Sequence, residues 1–189
     1  VSNEKRTLQK IMKILFISHA FPPIVGGVES QNFELYVWLS KIAEVKLIAN
    51  KKRWLIPFFL LYASVRAIFS AKKYDVVLLG SCILGNVGWL VKKLTKKPVI
   101  GIAHGLDLTY KNTFYQKLWI KVFIPSLDKL IAVGNETIRA GIARDIPKEK
   151  FTFIPNGVDP EKFFAPHTRE ELEKILGISL EGKFVLLTS

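Results

Sequence analysis

Lys13-Ile-Leu-Phe-Ile-Ser18, the loop Phe21-Pro22-Pro23-Ile24-Val25-Gly26-Gly27 and the following Val28-Glu29 form the stretch on which the fold turns. An unbroken apolar run of this length suits a strand buried on both faces. The paired prolines and paired glycines then mark a loop. From Val28 onward the apolar spacing becomes helical, with Phe33 and Val37 four apart and Leu35 and Leu39 likewise. A buried strand that passes through a glycine-rich loop into a helix is the opening unit of a parallel sheet. Adjacent glycines also let backbone N–H groups approach an anion, and a helix N-terminus adds a favourable dipole. A tight turn that needs only small residues accounts for the same pair. The loop is not the G-x-G-x-x-G fingerprint, and no Walker P-loop occurs in the chain.

Working outward, the pattern repeats. Residues 44–49 read as a second strand, 54–71 as a helix, 75–80 as a third strand and 83–95 as a helix. A fourth strand over 98–103 leads into His104-Gly105-Leu106-Asp107, and a helix over 113–124 stops at Pro125. A fifth strand over 128–133 precedes a helix capped by Asn135 that runs to about Arg144; a sixth strand over 151–154 ends at the turn Pro155-Asn156-Gly157. Six alternations of strand and helix specify an α/β, doubly wound, Rossmann-like parallel sheet. Ligands of such sheets bind outside the carboxyl ends of the strands. The domain is therefore expected over residues 12–155. Residues 1–11 read as an N-terminal extension, with Met12 a candidate start. Residues 156–189 read as a linker, a helix over 168–176 and a buried strand over 183–188 that needs a neighbour, the first elements of a truncated second domain.

Composition narrows the classes. In 189 residues, 49% hydrophobic and 23% charged, disorder and collagen-like repeats are excluded. The single Cys82 excludes a disulfide framework, and three separated histidines (His19, His104 and His167) show no metal-ligand spacing, so no metal is expected. Net charge is +12, and the excess lies in residues 1–97, with 16 basic against 5 acidic side chains. Its clusters, Lys51-Lys52-Arg53, Lys72-Lys73, Lys92-Lys93 and Lys96-Lys97, read either as solvated helix ends or as an anion-attracting surface. No DNA- or RNA-binding motif is present, so nucleic acid is not expected as a partner. The stretch 54–71 is long and apolar enough to approach a membrane span, but Arg66 and two serines interrupt it; a helix buried against the sheet is expected, with a membrane-surface helix as the alternative. The first eleven residues lack the apolar core of a signal peptide.

Some residues carry candidate chemistry. His104, at the end of the fourth strand, can donate to a ligand oxygen or exchange a proton near neutral pH. Asp107 can orient it or bind a sugar hydroxyl, while a histidine simply hydrogen-bonded in a loop explains the pair equally. Asn156-Gly157-Val158-Asp159 reads as a hinge or domain boundary. The helix 113–124, with Phe114, Tyr115, Trp119 and Phe123 among Lys117 and Lys121, is either core packing with snorkelling lysines or an amphipathic face for a membrane or a lipid-linked acceptor.

Taken in order, Gly26-Gly27 with Glu29, His104-Gly-Leu-Asp107, Val133-Gly-Asn135 and Phe153-Ile-Pro-Asn-Gly-Val-Asp159 with Phe163 resemble the N-terminal domain of the retaining, GT-B fold glycosyltransferases of family 4. The resemblance runs from about Met12 to Ser189. It implies a cytoplasmic, metal-independent enzyme of two Rossmann-like domains, with the acceptor on this one and most of a UDP- or GDP-type nucleotide-sugar donor on the other. Under it Gly26 and Gly27 approach the donor diphosphate through backbone amides. His104 hydrogen-bonds the transferred sugar near its anomeric centre, and Asp107 shapes that wall. Glu29 and Asn135 line the cleft, and Asn156 and Gly157 lie where the chain crosses to the second domain. Gly134-Asn135 stands where relatives often carry a serine. The family's second domain, with its basic donor-phosphate clamp and Glu-x₇-Glu motif, lies outside this chain, so the chain alone is expected to fold but not to transfer sugar. The competing reading is a standalone module that docks on an anionic membrane, at the inner face, or on a partner chain.

Overall fold

The computed structural model describes residues 11–159 and 168–183. The expected extension up to Lys10, Phe163 and the expected strand from residue 184 onward lie outside them. The chain divides into two compact units, Val1–Asn156 and Gly157–Ser189.

The first unit is a six-stranded, all-parallel sheet in the order β2-β1-β3-β4-β5-β6. Its strands are β1 (Lys13–Ser18), β2 (Glu44–Ala49), β3 (Val76–Leu79), β4 (Val99–Ala103), β5 (Lys129–Ala132) and β6 (Phe151–Phe153). The helices are α1 (Gly27–Leu39), α2 (Ile56–Ala71), α3 (Gly85–Thr95), the short α4 (Leu106–Thr109), a composite α5 over 113–126 and α6 (Asn135–Ile142). The Rossmann-like fold read from the alternation is the fold observed. β1 lies between β2 and β3 and is buried from Ile14 to Ser18, which is why its apolar run is continuous. β2 lies on one edge and β3 on the other side of β1, so the strand order reverses at β1.

Helices cover both faces. On one, Leu15, Ile17, Val77, Leu79 and Leu130 pack with Phe59, Ala63 and Ala67 of α2, Val87 and Val91 of α3 and Ile120 of α5. On the other, Ile14, Phe16, Leu78 and Ile102 meet Leu35, Tyr36 and Leu39 of α1. Close approach is built in at Gly88, where an added Cβ would lie 2.7 Å from both Leu127 and Leu79.

Three expectations change. α5 does not stop at Pro125. Its middle, Gln116–Phe123, is wound as a π-helix, and an α-turn, Ile124–Ser126, carries the helix past the proline. A proline nitrogen costs such a terminal turn little, because it lies next to a change of register rather than inside a regular ladder. Asn135 does not cap α6: extended Gly134 precedes the helix, Asn135 is its first residue, and no side chain caps it. The helix over 54–71 is only half buried. Phe59, Ala63, Ser64, Ala67 and Ala71 face the protein, whereas Phe58, Leu61, Tyr62, Val65 and Phe69 are exposed.

In the second unit, α7 (Arg169–Leu176) begins with a capping box. The Thr168 hydroxyl accepts from the Glu171 N–H at 3.2 Å, and the Glu171 carboxylate accepts from the Thr168 N–H at 3.2 Å. Gly177, at φ 66°, ends the helix in the left-handed conformation.

Candidate active site

The carboxyl ends of β1, β3, β4 and β5 carry the loops that build the site. The first is pinned by Ser18 and Asn32. Ser18 Oγ donates to the Ala20 carbonyl at 2.7 Å and accepts from Asn32 Nδ2 at 2.9 Å, and Asn32 Nδ2 also donates to the Ala20 carbonyl at 3.1 Å. Asn32 is fully buried and lies against Gly80, where an added Cβ would meet its Oδ1 at 2.8 Å. This close approach holds the loops after β1 and β3 together at the reversal in strand order.

His19 follows directly and is almost wholly buried. Its Nδ1 has no hydrogen-bond partner among the described residues. Burial pushes its pKa below the ordinary histidine value, against the pull of the Asp107 and Glu29 carboxylates and with the help of nearby His104. His19 is therefore a neutral ring in the site at pH 7. Sequence reading did not single it out; its place one residue after a buried strand was the available signal.

Glu29 sits in the first turn of α1, also buried, and folds back over Gly26. A Cβ on Gly26 would lie 2.2 Å from Glu29 Oε2, so a side chain at this position would push the carboxylate out of its place over the loop. Glu29 Oε1 accepts from Arg53 at 3.2 Å, and the same Arg53 nitrogen donates to the Val25 carbonyl at 3.4 Å. Arg53 comes from the end of the β2 connection, a second residue that sequence reading left in a general basic cluster. Gly27 differs from Gly26: nothing lies within 4 Å of an added Cβ, and it is exposed. It opens α1, whose first-turn N–H groups have no acceptor inside the helix. An anion can thus approach the backbone at Gly27, with Glu29 and Arg53 beside it.

His104 ends β4. Its Nε2 lies 2.9 Å from the Gly80 carbonyl. A carbonyl only accepts, so Nε2 carries the proton and donates. In the neutral ring Nδ1 is then an acceptor, suited to a hydroxyl rather than to a ligand carbonyl. Gly105, at φ +87°, must be glycine for the chain to turn from His104 into α4. Asp107 is 5% exposed, and it braces the loops rather than orienting His104. Its Oδ2 accepts from the Ser81 hydroxyl at 3.0 Å and from the Cys82 N–H at 2.9 Å. Its carbonyl accepts from the Tyr115 hydroxyl at 2.7 Å. Burial holds both the Tyr115 phenol and the Cys82 thiol well above their ordinary pKa values, so neither ionises near neutrality.

Beyond Asp107 stands an aromatic wall. Tyr115 stacks on Trp119, with centroids 5.3 Å apart and planes at 10°, and Tyr110 meets Tyr115 edge-on at 5.5 Å. Trp119 Nε1 donates to the Ile83 carbonyl at 2.7 Å, which ties α5 to the loop after β3. The exposed Asn135 begins α6, which lies against the turn after His104: Thr137 Oγ1 would lie 3.6 Å from a Cβ on Gly105. Asn156 and Gly157 are exposed, and the division between the two compact units falls between them. The structure thus gathers Gly26, Gly27, Glu29, His104 and Asp107 around the strand ends, with Asn135 on the flanking helix. Among the described residues no group of three or more His, Cys, Asp or Glu side chains could hold a metal.

Residues 22–162 match the profile of Glycosyltransferase Family 4. Among curated proteins, the UDP-Gal:α-D-GlcNAc-diphosphoundecaprenol α-1,3-galactosyltransferase of Escherichia coli is 31% identical over 122 residues, which cover 61% of this chain and 32% of that protein. Among solved structures, Anabaena HepE in complex with UDP and glucose superposes with a TM-score of 0.66 at 18% identity, covering 88% of this chain and 50% of that one. A Rickettsia africae glycosyltransferase gives 0.66 at 21% identity, covering 89% and 49%. The chain therefore spans about a third of the length of the curated relative and half that of the solved structures.

Proposed function

This chain belongs to glycosyltransferase family 4, and on that premise we propose that it is the acceptor-side domain of a retaining enzyme that moves a hexose from a UDP- or GDP-sugar to a lipid-linked acceptor. The observation that carries the reading is the juxtaposition at the strand ends. The exposed start of α1 at Gly27 offers backbone N–H groups to a diphosphate, while His104, tied by Nε2 to Gly80, presents Nδ1 to a sugar hydroxyl. The neutral, buried His19 and the Arg53–Glu29 pair complete the wall. The exposed Tyr110 ring, held edge-on against Tyr115, offers a stacking face of the kind sugar rings use. The lipid-linked acceptor is supported by the diphosphoundecaprenol substrate of the Escherichia coli relative.

In this reading the enzyme works on the cytoplasmic side without a metal, and a second Rossmann-like domain supplies the cations that stabilise the leaving diphosphate. The test is hexose transfer from labelled UDP- and GDP-sugars to an undecaprenyl-diphosphate-linked sugar, with and without EDTA. It uses this chain alone and joined to a second GT-B domain. Transfer is expected only from the joined protein, with the anomeric configuration kept, and His104→Ala lowers it by about 10- to 100-fold through one lost hydrogen bond. Turnover by the chain alone, an inverted product, or full activity of the His104→Ala enzyme would overturn the reading.

A further inference from the structure

α2 is apolar on two opposite sides. Phe59, Ala63, Ala67 and Ala71 fill the core side, as a helix covering a sheet must. The other side carries Trp54, Phe58, Leu61, Tyr62, Val65 and Phe69 at helical spacing, and they are far from covered: Phe58 and Leu61 are each 70% exposed and Phe69 81%. A contiguous stripe of large apolar side chains in water signals a surface that meets something. The charge around it says what. Residues 45–74 hold seven Lys and Arg and no Asp or Glu, with Lys51, Lys52 and Arg53 before the stripe, Arg66 at its flank and Lys72 and Lys73 at its end.

We propose that this face of α2 docks flat on an anionic membrane surface, with its aromatic and aliphatic side chains in the headgroup–acyl boundary and the lysines on acidic lipid headgroups. A protein partner would need a long acidic rim to match this cationic one, whereas an acidic bilayer presents that charge everywhere. The helix lies on the membrane rather than across it. Its 16 residues span about 24 Å, shorter than a hydrocarbon core, and its other side is committed to the sheet. Residues 53–71 are the segment among the described residues that passes for a membrane span by length and composition, and half-burial explains why. Docking this way also sets the site relative to the surface. The turn before α2 contains Arg53, whose guanidinium rests on Glu29 and Val25, so the membrane-facing helix begins at the wall of the site.

The inference does not depend on the glycosyltransferase reading, since docking requires neither donor nor acceptor. The test is flotation of the 189-residue chain with phosphatidylcholine vesicles, with and without 30 mol% phosphatidylglycerol. Folding of each variant is checked by circular dichroism; the replaced side chains are exposed, so the fold should survive. Binding is expected to the anionic vesicles, with a blue shift of Trp54 fluorescence that Trp54→Phe removes. The triple replacement Phe58→Ser, Leu61→Ser, Phe69→Ser should weaken it by about a hundredfold. Lys51→Gln, Lys52→Gln and Lys73→Gln should each weaken it by about fivefold, and salt should mask that difference. Absent binding, equal binding to neutral vesicles, or binding untouched by the serine triple would overturn the proposal. A chain that fails to bind vesicles but forms a dimer lost in the serine triple would assign the face to a second copy, which also overturns it.

Discussion

Replacing Asp107 tests the most specific piece of site architecture. One carboxylate oxygen, in a residue 5% exposed, receives the Ser81 hydroxyl at 3.0 Å and the Cys82 N–H at 2.9 Å. The two donors differ in what they can do once the acceptor is gone. Ser81 can rotate its proton elsewhere, and its oxygen is already held by the Ile83 N–H at 3.1 Å. The Cys82 N–H is fixed by the backbone and has no such freedom. A buried donor left without an acceptor costs about 1–3 kcal/mol, and hydrogen bonds to a charged group contribute about 1.5–3 kcal/mol. Asp107→Ala is therefore expected to lose about 2–4 kcal/mol, a large part of the ~5–15 kcal/mol that holds a domain folded. Asp107→Asn keeps an oxygen acceptor in place and should lose about 1 kcal/mol. Urea unfolding measures both, read by circular dichroism and by Trp119 fluorescence, since Trp119 donates to the Ile83 carbonyl in the same loop. An alanine variant within about 0.5 kcal/mol of the parent would refute the bracing role. Equal losses for Asn and Ala would refute it too, because the oxygen would then not be what the loop requires.

Two further outcomes follow from the geometry. Because burial lowers the pKa of His19 in the folded state, the unfolded chain takes up a proton below about pH 6.5 before the native one does. Stability contributed by the neutral ring is thus full above that pH and is lost on acidification, and His19→Gln should flatten this part of the pH–stability curve; an unchanged slope would contradict it. Gly141 of α6 has no room for a side chain, since a Cβ would lie 2.3 Å from the Phe151 ring. Gly141→Ala should therefore cost about 1–3 kcal/mol by overpacking even though alanine favours helix, and a stabilised variant in thermal unfolding would show that Phe151 moves aside freely.

Much of the architecture was legible in the chain because its signals are local. The run from Lys13 to Ser18 has no polar break, so only a strand with protein on both faces fits it, and the alternation after it leaves a parallel sheet as the way to bury each strand. The loops that carry chemistry were legible for the same reason: Gly26-Gly27 mark the break just before α1, and His104-Gly105 the break directly after β4. What lay beyond reach were contacts between residues far apart in the chain. His19 reads as one more loop residue until the strand order sets β1 beside β3 and brings Asp107, Glu29 and His104 around it. Arg53 reads as part of a basic cluster until β2 pairs with β1 and its guanidinium meets Glu29, 24 residues away in sequence. Asn135 has the right chemistry for a cap, yet the backbone begins the helix one residue early. α2 shows the division most plainly. Composition alone determined that this helix is apolar, but apolarity around a whole helix does not say which side meets the sheet. Only packing decides that, by fitting the small Ala63, Ala67 and Ala71 against neighbouring elements and leaving the bulky Phe58, Leu61 and Phe69 outside.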